Sequence, residues 1–173
     1  RDSYEEIYSL IISKTGTRVT DHLVTGVPGI GTSYFCLYFI WRYINENPGA
    51  QVILEKQYNS MVIFGPTESF STDRRNCHGW KIPYLVDFRE NHQPVESVGL
   101  FTVVFSSPNP QKYKEMMKDY LQSARYVMPL WKWEEVTALY EFMEDRNDFL
   151  ESIEDVSDIF DLVGGVPRSL FER

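Results

Sequence analysis

Large apolar side chains recur along this chain in two alternating modes, short unbroken runs and stripes spaced every three or four residues. The stripe over residues 4 to about 14 predicts a short amphipathic helix that ends near Gly16. His22, Leu23, Val24 and Thr25 read as a buried strand. Residues 32 to about 45 then read as a helix carrying Phe35, Tyr38, Phe39, Arg42 and Tyr43, stopped by Asn47-Pro48-Gly49. Residues 51–55 and 60–64 predict two strands with Tyr58-Asn59 as a candidate hairpin turn, and the polar stretch 67–79 predicts a surface loop. Two further strands are expected at 83–87 and 100–105. A helix is expected at 111–122, with Tyr113, Met116, Met117, Tyr120 and Leu121 facing inward, and a last strand at 126–128. Residues 133–142 and 149–163 predict two acidic amphipathic helices whose apolar stripes serve helix packing, joined by a charged turn from Glu144 to Asp148. Strands alternating with helices predict an α/β fold, a mainly parallel sheet flanked by helices in three layers, with a small helical part at the C-terminal end.

The connection from the first strand to its helix carries the most chemistry. It reads Leu23-Val24-Thr25-Gly26-Val27-Pro28-Gly29-Ile30-Gly31-Thr32-Ser33. Gly26, Gly31 and Ser33 fall where a phosphate-binding loop, G-x-x-x-x-G-K-[ST], has its glycines and its magnesium-binding hydroxyl. Such a loop cradles ATP phosphates with backbone N–H groups, here those of Gly26, Gly29, Ile30, Gly31, Thr32 and Ser33, and aims a helix N-terminus at the anion. The same residues also fit a tight strand-to-helix turn that binds nothing. Thr32 stands where the motif has lysine. A threonine hydroxyl cannot deliver that charge to the β- and γ-phosphates, and losing a charged contact costs about 1.5–3 kcal/mol in binding. Nucleotide binding is therefore expected to be weak, and hydrolysis weak or lost.

Size and charge narrow the field. At 173 residues, 43% of them hydrophobic, the chain is long enough for one domain with a real core. Its expected parts are an N-terminal helix (1–20), an α/β core (21–131) and C-terminal helices with a Gly-Gly-Val-Pro-Arg motif (132–173). A net charge of −8 argues against a nucleic-acid clamp, and Arg74-Arg75 is the only adjacent pair of arginines. Cys36 and Cys77 are too few for a disulfide framework and fit an intracellular setting better. His22, His78 and His92 share no metal-ligand spacing with either cysteine; Cys77-His78 is more simply a loop pair. No apolar run approaches the roughly 20 residues of a membrane span. The abrupt start at Arg1 and end at Arg173 suggest a module of a longer protein.

Three more candidates follow the loop. Tyr84-Leu85-Val86-Asp87 fits a buried strand delivering Asp87 as the acid that orders magnesium opposite Ser33, or an ordinary strand ending in a turn-favouring Asp. Phe88 follows it where many hydrolytic relatives carry a water-activating glutamate. Ser106-Ser107-Pro108-Asn109 ends the next strand, where Ser107 and Asn109 could sense a γ-phosphate or merely start a helix. Arg168, in Gly164-Gly165-Val166-Pro167-Arg168, could reach the phosphates or stand as a solvent-exposed cap.

Taken with Val27 to Gly31, Ser33, Tyr34-Phe35, Met128-Pro129-Leu130-Trp131 and Glu134-Glu135, these blocks resemble, in order, the NTPase domain of Crinkler effectors and retrotransposon hot spot proteins. The likeness runs from about His22 to the C-terminal end. It implies a P-loop fold similar to the AAA-like and STAND branches, with ATP and Mg2+ as ligands. By that likeness Ser33 and Asp87 bind metal, Ser107 and Asn109 form a sensor region, and Arg168 is a second sensor. It also implies secretion by an oomycete or fungus into a host cell, mostly to the nucleus. There the module regulates or assembles an effector with a host protein or neighbouring domains. The alternatives are a pure protein-interaction module, or an active ATPase with a substitute cation such as Arg168. The family's nuclease-type Glu-x-Lys is not supplied by the adjacent Glu55-Lys56.

Overall fold

The computed structural model describes residues 1–57, 60–73, 81–87, 100–109, 111, 113–114, 116–118, 121–144 and 152–171. Seven strands are β1 (Asp21–Thr25), β2 (Val52–Gln57), β3 (Ser60–Phe64), β4 (Ser69–Thr72), β5 (Tyr84–Val86), β6 (Thr102–Ser106) and β7 (Ser123–Val127). They form one sheet in the order β4-β3-β2-β5-β6-β1-β7. The five strands from β2 through β7 in that order are mutually parallel, while β3 and β4 add an antiparallel edge. The mainly parallel α/β sheet read from the sequence is therefore present. The antiparallel β2–β3 pairing fits the expected hairpin, although Tyr58-Asn59 lies outside the described residues.

Side chains along each strand divide by alternation between two apolar layers. Val24, Leu54, Leu85, Val103 and Phe105 face helices α1 (Asp2–Lys14) and α2 (Thr32–Glu46), which contribute Ile7, Tyr8, Ile11, Phe35, Phe39 and Ile40. Leu23, Ile53, Met61, Ile63, Tyr84, Val86 and Val104 form the opposite layer, covered by Tyr113 and Met117. Each fully buried aromatic or aliphatic side chain here contributes roughly 1.5–3 kcal/mol over an exposed one. Arg42 lies over the Tyr8 ring at 4.6 Å and pairs with Glu5 and Glu46, tying α2 to α1. Helices α3 (Trp133–Glu144), α4 (Ile153–Val163) and α5 (Pro167–Phe171) make their own small core around Val136, Val156 and Leu170. Their stripes are packing surfaces, as read. Residues 145–148 of the expected charged turn, and 149–151 of the expected helix after it, lie outside the described residues.

Two expectations are corrected. The stretch read as a surface loop contains β4, because Ser69–Thr72 is recruited by hydrogen bonding to β3 rather than by apolar alternation. The helix expected at 111–122 is reduced, among the described residues, to a 3-10 turn at Met116–Lys118. Tyr113 is buried and the Met117 N–H donates to its carbonyl, but Leu121, next along the same stripe, is 74% exposed, so the stripe ends after one turn. On that face a turn, not a long helix, completes the layer among the described residues. Tyr120, Cys77, His78 and His92 lie outside them.

Connections leave neighbouring strands β1 and β6 in opposite directions. From β1 the chain passes through α2 beyond β6 and β5 to β2, whereas from β6 it crosses β1 to reach β7. A crevice at the carboxyl ends of parallel strands, where the order reverses, is where α/β sheets bind ligands.

His22 is buried in β1 with Tyr126 Oη 3.3 Å from its Nδ1, and Lys14 of α1 lies nearby. Burial first, then the Lys14 charge, lowers its pKa from 6.5 to about 4. The unfolded chain therefore takes up a proton that the folded chain refuses, and stability falls as pH drops from the unfolded value toward the folded one. Between about pH 7.5 and about pH 5 we expect a loss of about 2 kcal/mol from this residue. Urea denaturation of His22→Phe at the two pH values should lack that increment; an unchanged pH slope would refute it.

Candidate functional site

The carboxyl ends of β1, β5, β6 and β7 gather four features at one edge: the 26–31 loop, Asp87, Ser106-Ser107 and the chain entering Met128. Register sets this, since Thr25 lies opposite both Ser106 and Val127, and Val86 opposite Val104. The Asp87 N–H donates to the Glu55 carbonyl at 3.0 Å, holding the end of β5 against β2. Asp87 is buried, and the Ser33 hydroxyl donates to its Oδ1 at 3.1 Å. Ser33, read from the loop's spacing, and Asp87, read as the acid ending a buried strand, thus meet at hydrogen-bond distance.

The loop itself turns tightly. Gly29 has φ +88 and Gly31, the residue capping α2, has φ +102, both in the left-handed region that disfavours a side chain. A Cβ on Gly29 would lie 2.5 Å from the Arg168 Cβ, and one on Gly31 would lie 2.8 Å from the Tyr4 hydroxyl. The Arg168 N–H approaches the Gly29 carbonyl at 3.4 Å, so the last helix closes onto the loop. Ile30 behaves differently from its neighbours. Its side chain is fully buried and its N–H donates to the Val27 carbonyl, so it anchors the loop and its amide does not face a ligand. The amides of Thr32, Ser33 and Tyr34 open α2 and have no acceptor within the helix.

Ser107 and Asn109 sit at the same edge, but their contacts are local. The Ser107 carbonyl accepts from Ser106 Oγ and from the Asn109 N–H, and Asn109 Oδ1 accepts from the Gln111 N–H. Cys36, one turn into α2, is buried; burial, and secondarily the Asp87 charge, push its thiol well up, so it is no nucleophile. Among the described residues no group of three or more His, Cys, Asp or Glu side chains could hold a metal ion. Ser33 and Asp87 offer two oxygens, which fits a magnesium ion that keeps water or phosphate oxygens as its other ligands.

Sequence reasoning missed two features. Glu55 is fully buried and accepts a hydrogen bond from the Tyr84 hydroxyl; a charged residue within Val52-Ile53-Leu54-Glu55 was its only signal. Arg1, Tyr4 and Trp131 contact the back of the loop through the Ile30 and Gly31 carbonyls, and no local pattern signals that.

Comparison with known proteins finds distant relatives. The chain is similar to Crinkler effector protein 15 and Crinkler effector protein 16 of Phytophthora infestans, 25% identical to each over 181 aligned positions. The alignments take in 99% of this chain and 28% of each relative's length, so the chain spans little more than a quarter of them. The chain is Crinkler-like at that distance. No family model and no solved structure matches it. Among the described residues, no helix is long and apolar enough to cross a membrane.

Gly29→Ala and Gly49→Ala separate backbone strain from close packing. Gly49 also has positive φ, +83, but nothing lies within 4 Å of its would-be Cβ. Gly49→Ala should cost about 1 kcal/mol and Gly29→Ala about 2–4 kcal/mol in urea denaturation. Equal costs would show that the Arg168 contact does not confine the loop.

Proposed function

We propose that this Crinkler-like chain is a P-loop domain that binds ATP with magnesium weakly, in the crevice between the 26–33 loop and Asp87. The observation that carries the reading is the 3.1 Å hydrogen bond from Ser33 to Asp87 at the carboxyl edge of a parallel sheet. It is supported by two left-handed glycines and a helix N-terminus at the same place. Magnesium, when bound, neutralises charge on the terminal phosphates. The chain's own residues divide the remaining work: the amides of Gly31, Thr32 and Ser33 orient the phosphates, and Ser33 and Asp87 hold the metal oxygens. Arg168, whose backbone N–H approaches the Gly29 carbonyl, is the cation this reading assigns to the anion.

Hydrolysis is weak or absent in this reading, because Thr32 supplies no charge and Phe88 no carboxylate. The module then serves regulation or assembly of an effector delivered into a host cell and its nucleus, with a host protein or neighbouring domains as partner and no direct nucleic-acid contact. A second reading, a protein-interaction module, is favoured by one observation. Tyr34, Leu37 and Trp41 form an apolar stripe along α2 that is 75%, 46% and 63% exposed. A third, an ATPase using Arg168 in place of the lysine, rests on the contact with Gly29.

Titration calorimetry of magnesium-ATP against the chain and its Thr32→Lys variant distinguishes these. We expect weak binding that the lysine tightens about tenfold to a hundredfold, the weight of one charged hydrogen bond. Asp87→Asn in the lysine background should erase the magnesium dependence. Silence from both the chain and Thr32→Lys would sink the nucleotide reading and leave the interaction module. Magnesium-dependent phosphate release lost in Arg168→Ala would select the third.

A further inference from the structure

Three consecutive carbonyls of the loop are held from behind. Gly29 O accepts from the Arg168 N–H at 3.4 Å. Ile30 O accepts from Trp131 Nε1 at 3.0 Å and from Arg1 Nη1 at 3.5 Å. Gly31 O accepts from the Tyr4 hydroxyl at 3.0 Å, besides its intrahelical partner, the Phe35 N–H, at 2.9 Å. A trans peptide is planar, with its C=O and the following N–H pointing opposite ways, and no peptide among those described is cis. Tying the Ile30 and Gly31 carbonyls backward therefore turns the N–H groups of Gly31 and Thr32 forward, toward the Ser33–Asp87 crevice.

The donors are themselves over-determined. The Arg1 side chain is only 5% exposed and pairs with Glu135 at 3.1 Å. It also donates to the Pro129 carbonyl at 2.7 Å and lies between the Tyr4 and Trp131 rings, 5.6 Å and 4.8 Å from their centroids. Glu135 in turn accepts from the Lys132 N–H at the start of α3. Tyr4 packs on Phe35 of α2 at 4.9 Å. A buried guanidinium with its carboxylate and two aromatic faces all satisfied is a rigid support, well suited to fixing geometry elsewhere.

We infer that Arg1, Tyr4 and Trp131 form a positioning clamp that sets the loop's affinity for phosphate by fixing the direction of its amides. The clamp rests on the proposed phosphate-binding role of the loop, and its residues touch no ligand. Because Arg1 and Tyr4 begin α1 while Trp131 and Glu135 lead into α3, the clamp also joins the loop to both helical units. By reciprocity, an anion that needs the clamped loop must stabilise those contacts in return.

The test uses inorganic tripolyphosphate and magnesium-ATP in the Thr32→Lys background, with Tyr4→Phe and Trp131→Phe as variants. Each removes one donor to a loop carbonyl and keeps an aromatic ring. We expect each to weaken both anions about fivefold to tenfold, the weight of one hydrogen bond, with the melting temperature of the free protein lowered by no more than about 4 °C. Hydrogen exchange should slow at the starts of α1 and α3 when tripolyphosphate binds the parent, and not when it binds the variants. Undiminished affinity in both variants overturns the clamp and leaves the phosphate site standing. So does a loss of affinity that only tracks a fall in melting temperature, since the contacts would then be structural. No tripolyphosphate or ATP binding by the parent overturns the phosphate site and the clamp with it.

Discussion

Everything at the candidate site depends on β1 being an interior strand of a parallel sheet. Leu23 and Val24 are fully buried because β6 and β7 pair with β1 from either side, running the same way. A parallel neighbour cannot be reached by a hairpin, so each connection between these strands must cross a face of the sheet. All carboxyl ends then collect at one edge, whatever lies in the crossovers. The loop after β1, Asp87 after β5 and Ser106-Ser107 at the end of β6 owe their proximity to that constraint before any side chain interacts.

Local chemistry refines what topology assembles. Left-handed φ at Gly29 and Gly31 lets the chain leave β1 and enter α2 within a few residues. Ile30 between them is driven into the core, which fixes the loop from below. The loop's carbonyls are taken by α5, by Trp131 and by the first turn of α1, so elements from both ends of the sequence converge on one short segment. A segment confined on three sides would lose little further entropy in holding a ligand, as the proposed phosphate role requires.

Much of this was legible in the sequence, and the failures have physical causes. Strands β1, β5 and β6 read clearly because strands buried on both faces are nearly continuous apolar runs. The Ser33–Asp87 pair was legible for two reasons: loop spacing places a hydroxyl at the start of α2, and an apolar run ending in Asp places an acid at a strand's carboxyl end. Strand β4 was missed because Ser69-Phe70-Ser71-Thr72 is an exposed edge, held by backbone bonds to β3 that leave no apolar signature. The 111–122 stripe misled because Tyr113 and Met117 do point inward, yet helical spacing over one turn cannot distinguish a helix from a 3-10 turn. Arg1 and Tyr4 were invisible as site residues because the carbonyls they bond on and beside the loop lie 27 or more positions away, and a backbone carbonyl carries no residue identity.

Thr32 is the point at which scaffold and chemistry part. Lysine at that position contributes charge rather than packing, so a threonine at the first position of α2 leaves Phe35, Phe39 and the loop glycines undisturbed. The turn from β1 into α2 uses left-handed backbone at Gly29 and Gly31 whether or not a ligand follows, so the Ser33–Asp87 contact, not the glycines, is what points to the crevice. Burying Asp87 does require compensation, which the Ser33 hydroxyl supplies in part. In the proposed reading, such a site holds an anion through backbone amides and the Ser33 and Asp87 oxygens, with no charge at position 32 to drive transfer.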